Sequence, residues 1–455
     1  MENRELMKKM CIILCLLIPI SWGVFLVLKY GINTFYMDEF SIVELAIKLE
    51  RGGLRISDLF AQHNEHRMFF PNIIFLVFGK LFYYNTKVYM ILGIVCISCS
   101  YFITISYLMK KQDRSSISML CIEVLVIGFL YFNGAQWENL FLGYQLAWFL
   151  IILCVVTSLF CLQKYFENGK RSMIVGSIVL NVIASFSSMQ GLWVWLVYIV
   201  IFVLGVIRKQ KIKFEIWIAT VSGMMVSFFL YFYDYAEPVG HLDYFGGGIK
   251  GVIQYFLVAI GGVFVSNVKW AMFIGGGCCL LSGVAFIIWL VYAKKMLNNV
   301  FEMGVMLYGY LVIASVTAGR SAYGVDQAMS SRYSSYVLLS IIATSVFYAN
   351  KIIKILVKND VNKIYSLSCK MGMAIISVMA IVLCMDNFMR FDDYQHSKDN
   401  RIQVKCALQN FNNESLEERQ KIYPFGSYQD GEEWISFMMN NKINVYSTSS
   451  IDISR

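Results

Sequence analysis

Residues 144–162 read YQLAWFLIILCVVTSLFCL, nineteen positions without a charged side chain. A run of that length matches the roughly 20 residues a helix needs to cross a hydrocarbon core about 30 Å thick. The run does not stand alone. Similar stretches recur at about 10–30, 88–109, 116–133, 172–187, 190–207, 214–233, 271–292, 303–318, 335–350 and 370–388, parted by short polar clusters. Composition agrees: 58% of the 455 residues are apolar and 15% charged, where a soluble domain carries about 25% charged residues. Mean hydropathy is +0.59. In lipid every backbone polar group must be satisfied internally, so the reading is an all-α, polytopic transmembrane bundle. The four prolines leave few obligatory kinks. The twelve cysteines lie almost all inside apolar segments and read as small hydrophobes. The net charge of +9 is not a nucleic-acid signal, because the basic residues sit in short loops between spans.

Those loops set the topology. Arg4, Lys8 and Lys9 place the N-terminus in the cytoplasm. Two apolar segments, 68–84 and 251–266, are only 17 and 16 residues long. If neither crosses, the basic loops around Lys110, Arg171, Lys209, Lys294 and Lys351 all fall inside. The loops 133–143 and 234–250 then fall outside with Lys250 as their one basic residue. If both crossed, ten basic residues would face outward. The expectation is therefore about eleven spans with two re-entrant or juxtamembrane helices, thirteen spans being the alternative. Either count leaves the C-terminus outside. The transmembrane domain is expected over 1–390, with functional loops at 31–67, 133–143, 234–250 and 319–335. A small external tail occupies 391–455.

The outward loops hold the chemistry-bearing residues. MDEF (37–40) places Asp38 and Glu39 at a helix mouth, either as a solvated helix end or as a general base held at the membrane surface. HNEHRMFFP (63–71) gathers His63, Glu65, His66 and Arg67 before an apolar helix, and holds two of the four histidines. A polar cluster at an outward helix start suits an anionic ligand. A divalent cation on His63, Glu65 and His66 stays open, although nothing in the spacing demands one or any other cofactor. NGAQWEN (133–139) sets Gln136, Trp137, Glu138 and Asn139 together, as sugar contacts or as an interfacial anchor. Ser187, Ser188 and Gln190 read as a tight turn between spans. Arg320 and Arg332, with neighbouring Tyr333, flank the last outward loop. Arginine grips phosphate bidentately, and these two stand where the positive-inside bias should exclude them; pairing with an acid is the structural alternative. No Walker A motif, GxSxG elbow or HExxH is present, which argues against an ATPase, an α/β-hydrolase and a zincin.

A first span, an outward loop opening on an acidic pair, and a His/Arg/Pro segment leading into an apolar helix resemble the GT-C superfamily of membrane glycosyltransferases. The closer resemblance is to bacterial multi-pass proteins placed beside that superfamily, through DEF, HNEHR with a following Pro, QWEN with GYQ, and GR…SRYSSY. It covers about residues 10–390. The resemblance implies a bacterial plasma-membrane enzyme that moves a sugar from a polyprenyl-phosphate donor, on the external face, to a glycan, lipid or protein acceptor. It places the base at Asp38 or Glu39. The chain departs from dolichyl-type relatives by lacking their Lys-Pro-Pro segment, having Arg67…Pro71 instead. The competing expectations are a polymerase or ligase of lipid-linked glycans, and a transporter or flippase without chemistry.

Overall fold

The computed structural model describes residues 2–111, 117–238, 243–292, 296–357, 363–413 and 428–447. Part of the loop 234–250 (239–242) and parts of the tail (414–427 and 448–455) lie outside the described residues. The architecture is an all-α bundle. Its first helices are α1 (Glu2–Tyr30), α2 (Phe40–Glu50) and the single turn α3 (Ile56–Leu59). A two-residue-a-side hairpin follows, β1 (Gln62–His63) with β2 (His66–Arg67). Then come α4 (Phe69–Leu81), α5 (Thr86–Lys111), α6 (Ile117–Tyr131), the short α7 (Trp137–Phe141) and α8 (Leu146–Asn168). The bundle continues through α9 (Arg171–Ser185), α10 (Trp193–Ile207), α11 (Phe214–Phe232), α12 (Gly248–Gly261) and α13 (Val268–Tyr292). It closes with α14 (Val300–Arg320), α15 (Ser334–Val357) and α16 (Lys363–Asp386). The tail adds α17 (Phe391–Gln409) and α18 (Tyr428–Asn440).

Nine helices among the described residues are long and apolar enough to cross a membrane, so the chain is a multi-pass membrane protein. Helix α8 shows how one is delimited. The apolar run 144–162 extends to Asn168, and Gly169, at φ +69°, ends it in the left-handed conformation that costs glycine nothing.

Connections sort to two ends. At one, Lys110 lies over the Phe160 ring, Arg171 pairs with Glu215 at 3.6 Å, and Arg208 donates to the Val291 carbonyl at 3.2 Å. At the other, Thr86 donates to Asn33 at 3.0 Å, Phe245 to the Ala318 carbonyl at 2.9 Å, and Gly134 to Asn387 at 2.7 Å. The basic loops thus share one end and the loops with the candidate residues share the other.

The two short apolar segments belong wholly to that second end. Helix α4 has 13 residues, about 20 Å of rise. It leaves the hairpin and returns to the Tyr83–Thr86 stretch, which Asn33 and Asn444 hold. Helix α12 starts where Gly247 meets the Ser321 carbonyl and ends where the Val263 carbonyl accepts from Arg390 at 3.1 Å. It lies against α13 because Gly261 and Gly275 have no side chain. A Cβ there would collide with the carbonyls of Ala271 and Leu257.

Two expected spans differ from the sequence reading. Segment 172–187 is the 15-residue α9, and the turn after it is buried: Ser187 and Ser188 are 0% exposed. The turn between α9 and α10 is therefore covered by other segments, the Phe70 amide donating to the Phe186 carbonyl at 3.3 Å. Segment 335–350 extends into the 24-residue α15. Cysteine labelling, with the native cysteines replaced, checks the two-ended arrangement. Positions 110 and 209 are expected to label from one side of the membrane, and positions 57 and 442 from the other. Labelling of 209 and 442 from the same side would break it.

Candidate functional site

The hairpin carries most of the site. His63 pairs with His66 across the strands, and Asn64 turns the chain at φ +50°, a conformation that asparagine tolerates better than most residues. Pairing puts both imidazoles on one side, toward a cavity of about 310 Å³. Asp38 reaches the same cavity from a 3₁₀ turn after Met37, itself at φ +51°. Glu65, Arg320, Arg332 and Tyr333 also line it, as does Gln190 of the turn before α10, which the sequence reading took for a turn residue alone. The fold thus collects in one place residues from two loops that lie about 250 positions apart in the sequence, 31–67 and 319–335.

The distances describe two linked charge groups. His63 Nε2 stands 3.6 Å from Asp38 Oδ1. Arg320 donates to Glu65 at 2.5 Å, and His66 Nε2 lies 4.0 Å from the same carboxylate oxygen. Arg332 donates to Glu138 at 3.3 Å, while its Nε is buried with no hydrogen-bond partner among the described residues. The same holds for His66 Nδ1. Such atoms carry a desolvation cost until a ligand meets them.

Burial pushes the Asp38 carboxyl upward, but His63, Arg332 and His66 outweigh it and hold the group below its ordinary range. Asp38 is a carboxylate at neutral pH. Glu65 is likewise held down, with His66 and Arg320 outweighing burial. Burial lowers His66, so its ring is neutral at pH 7. The aromatic walls are Tyr144, Trp148, Trp193 and Tyr244. His66 meets Trp148 edge-on at 5.7 Å, and His63 meets Tyr144 at 5.6 Å. None of these four stands out in the sequence, because three of them sit in or beside apolar runs.

Several expected contacts lie elsewhere. Glu39 does not reach the cavity. It is 1% exposed and accepts from the backbone amides of Tyr36 (3.0 Å) and Tyr144 (3.2 Å). Arg67 is spent on backbone carbonyls: Tyr231 at 2.7 Å, Phe60 at 3.0 Å, Tyr233 at 2.5 Å and Asp234 at 3.3 Å. It pins the end of α11 to the hairpin and faces away from the cavity. Gln136 bonds the Tyr131 carbonyl and Ser335, and Asn139 bonds Ser335 and the Arg332 carbonyl. Trp137 is half-buried and does not line the cavity. Glu138 accepts from Ser331 at 3.0 Å as well as from Arg332. The 136–139 motif therefore holds the loop that presents Arg332, behind the cavity wall. Among the described residues, no three His, Cys, Asp or Glu side chains gather to hold a metal ion.

The tail is part of the site's support. Arg401 of α17 is 4% exposed, donates to the Phe141 carbonyl and lies over the Tyr36 ring at 5.5 Å. Asn444 donates to Asn33 (3.0 Å) and Tyr84 (2.8 Å) and accepts from the Phe35 amide (3.2 Å). Residues 33–39, which carry Asp38, are thus clamped from the far end of the chain. Comparison with protein families, with curated proteins and with solved structures finds no match for this chain.

Glu39 gives a pH signature. Burial lifts its carboxyl to about 8, despite Arg401 and three backbone amides pulling it down. Unfolded, it titrates near its ordinary value of about 4.3. The folded state holds the proton more tightly, so this stability is complete below about pH 4 and is lost as pH rises through about 8. Glu39→Gln is expected to flatten that fall. In thermal unfolding from pH 5 to 8.5, wild-type protein loses midpoint temperature relative to the variant. Parallel curves would show Glu39 to be ionised already.

Proposed function

We propose that the protein is a membrane glycosyltransferase that moves a sugar from a polyprenyl-phosphate donor to a cell-envelope acceptor. The observation that carries this reading is the meeting of Asp38, His63, His66, Arg320 and Arg332 in one cavity at one end of an apolar bundle. A phosphate at headgroup level would take the free Nε edge of Arg332, with Arg320 beside it. Asp38 would accept the proton of an acceptor hydroxyl. As that oxygen bonds to the anomeric carbon, the bond from the carbon to the phosphate oxygen breaks. Its electron pair leaves with polyprenyl phosphate, and the anomeric centre inverts. Chemistry of this kind needs no nucleotide site.

The reading includes the topology that fits it: eleven crossings, α4 and α12 at the external surface, a cytoplasmic N-terminus and an external C-terminus, in a GT-C-like arrangement. A flippase would gather polar groups near the bilayer midplane on broken helices. This cavity lies toward one end. The test is turnover of polyprenyl-monophosphate sugars by purified protein in lipid nanodiscs, followed as released polyprenyl phosphate. No turnover and no binding across hexose, hexosamine and pentose donors would remove the reading.

A further inference from the structure

The charged groups of the cavity answer one another: His63 faces Asp38, Arg320 holds Glu65, and Arg332 holds Glu138. Much of the remaining lining is uncharged. It comes from the starts of α8 and α10 and from the Arg320 end of α14, and includes Tyr144, Trp148, Met189, Gln190, Trp193 and Val316. The transfer proposed above uses neither Gln190 nor Trp193.

Gln190 lies in the 3₁₀ turn Met189–Leu192, which runs directly into α10 at Trp193. Residues three apart on a helical backbone share a side, and both side chains line the cavity. The turn is fixed from behind. Gly191 presses on the Ala184 carbonyl of α9, where a Cβ would collide. The Tyr308 hydroxyl donates to the Gln190 carbonyl at 3.1 Å, and the Ser188 hydroxyl donates to its side-chain Oε1 at 2.6 Å. Ser188 thereby takes the acceptor end of the amide and leaves the Nε2 hydrogens, which no described residue accepts. The Trp193 indole nitrogen can only donate, and it is buried with no partner among the described residues. Two N–H donors on one side of one turn, neither with an acceptor, fit an oxygen that brings no proton of its own. Because the turn is already fixed, meeting that oxygen orders little further chain.

His66 supplies the complement. Its Nε2 lies 4.0 Å from the Glu65 carboxylate. An acid on that side favours the proton on Nε2, which makes Nδ1 of the neutral ring an acceptor. Nδ1 too is buried without a partner among the described residues. A hydroxyl carries its donor and its acceptor on one atom. An N-acetyl group carries them on two, a carbonyl oxygen and an N–H on opposite sides of a planar amide. It adds a methyl, for which Met189, Trp148 and Val316 provide apolar surface.

We infer that this wall reads an N-acetyl group on the transferred sugar, with Gln190 and Trp193 donating to its carbonyl and His66 accepting its N–H. That the sugar is transferred rests on the reading above; the binding is tested without turnover. Saturation-transfer NMR on purified, full-length protein in nanodiscs compares the methyl glycosides of N-acetylglucosamine and N-acetylgalactosamine with those of glucose and galactose. The acetyl methyl is expected to take the strongest saturation, and an N-acetylated sugar to bind at least about tenfold more tightly than its hydroxyl counterpart. Trp193→Phe keeps an aromatic ring and removes the N–H. Gln190→Glu puts an acceptor where the wall donates. Each is expected to erase most of that preference. Ser188→Ala leaves the lining intact and frees the Gln190 amide to turn over; it too is expected to lower the preference, which keeps the test open where the other two fold poorly. A preference absent in wild type, or unchanged in every variant that folds, would overturn the inference. Turnover of short-chain polyprenyl-phosphate sugars in the same preparations separates the site from the transfer. A variant-sensitive preference with no turnover of any donor keeps the N-acetyl site and removes the transferase. Turnover of a glucose donor as fast as an N-acetylglucosamine donor, with no preference in binding, does the reverse.

Discussion

Asp38→Asn is expected to lower turnover of a polyprenyl-phosphate sugar by ~10²- to 10⁴-fold, the span a positioned general base contributes. Donor affinity and thermal stability should change little. The substitution keeps shape and removes only basicity, and Asp38 faces the cavity with no buried cation depending on it alone. His63 Nε2 is 3.6 Å away. Because His63, Arg332 and His66 hold Asp38 below its ordinary range, the acid limb of the wild-type rate profile should lie below where an unperturbed aspartate would put it. Glu39→Gln should be near wild type in turnover, since that carboxyl is buried behind the loop and protonated near neutrality. Full activity in Asp38→Asn would remove Asp38 as the base. Inactivity in Glu39→Gln with intact folding would move the role next door.

Arg332→Ala is expected to weaken donor binding by roughly 10- to 150-fold, the worth of a lost hydrogen bond to a charged group. One edge of its guanidinium is engaged by Glu138 at 3.3 Å, and its Nε is buried with no described partner. A phosphate oxygen would satisfy it. Arg332→Lys keeps the charge and loses the planar fork, so it should fall between the two. Arg320→Ala should cost less. Arg320 is committed to Glu65 at 2.5 Å, and its removal frees that carboxylate to support a protonated His66, which restores part of the lost positive charge. Isothermal titration with a short-chain polyprenyl-phosphate sugar ranks the variants, and thermal unfolding controls for the acids left unpaired. Wild-type affinity in both alanine variants would make these ion pairs structural.

Residues 133–139 show where sequence reading stopped short. An aromatic beside amides and a carboxylate read as sugar contacts or as an interfacial anchor. Their hydrogen bonds go instead to Ser331, Arg332 and Ser335, some two hundred positions on. Arg67 looked like a phosphate ligand and proved to be a clamp on the end of α11. In both cases residue type was informative about polarity and silent about direction. A polar side chain at a loop can satisfy a ligand or a carbonyl with the same atoms.

The sequence by itself determined the all-α class and the membrane as solvent. Lipid admits few backbone solutions, so length and apolarity suffice. Tertiary structure alone decided which polar residues share a cavity. Asp38 over Glu39, the commitment of Arg67 to carbonyls, the buried α9–α10 turn and the clamp from Arg401 and Asn444 all depend on contacts between distant segments. Neighbouring positions in a turn point in different directions, and only the packing of other helices around that turn selects which one meets the open space.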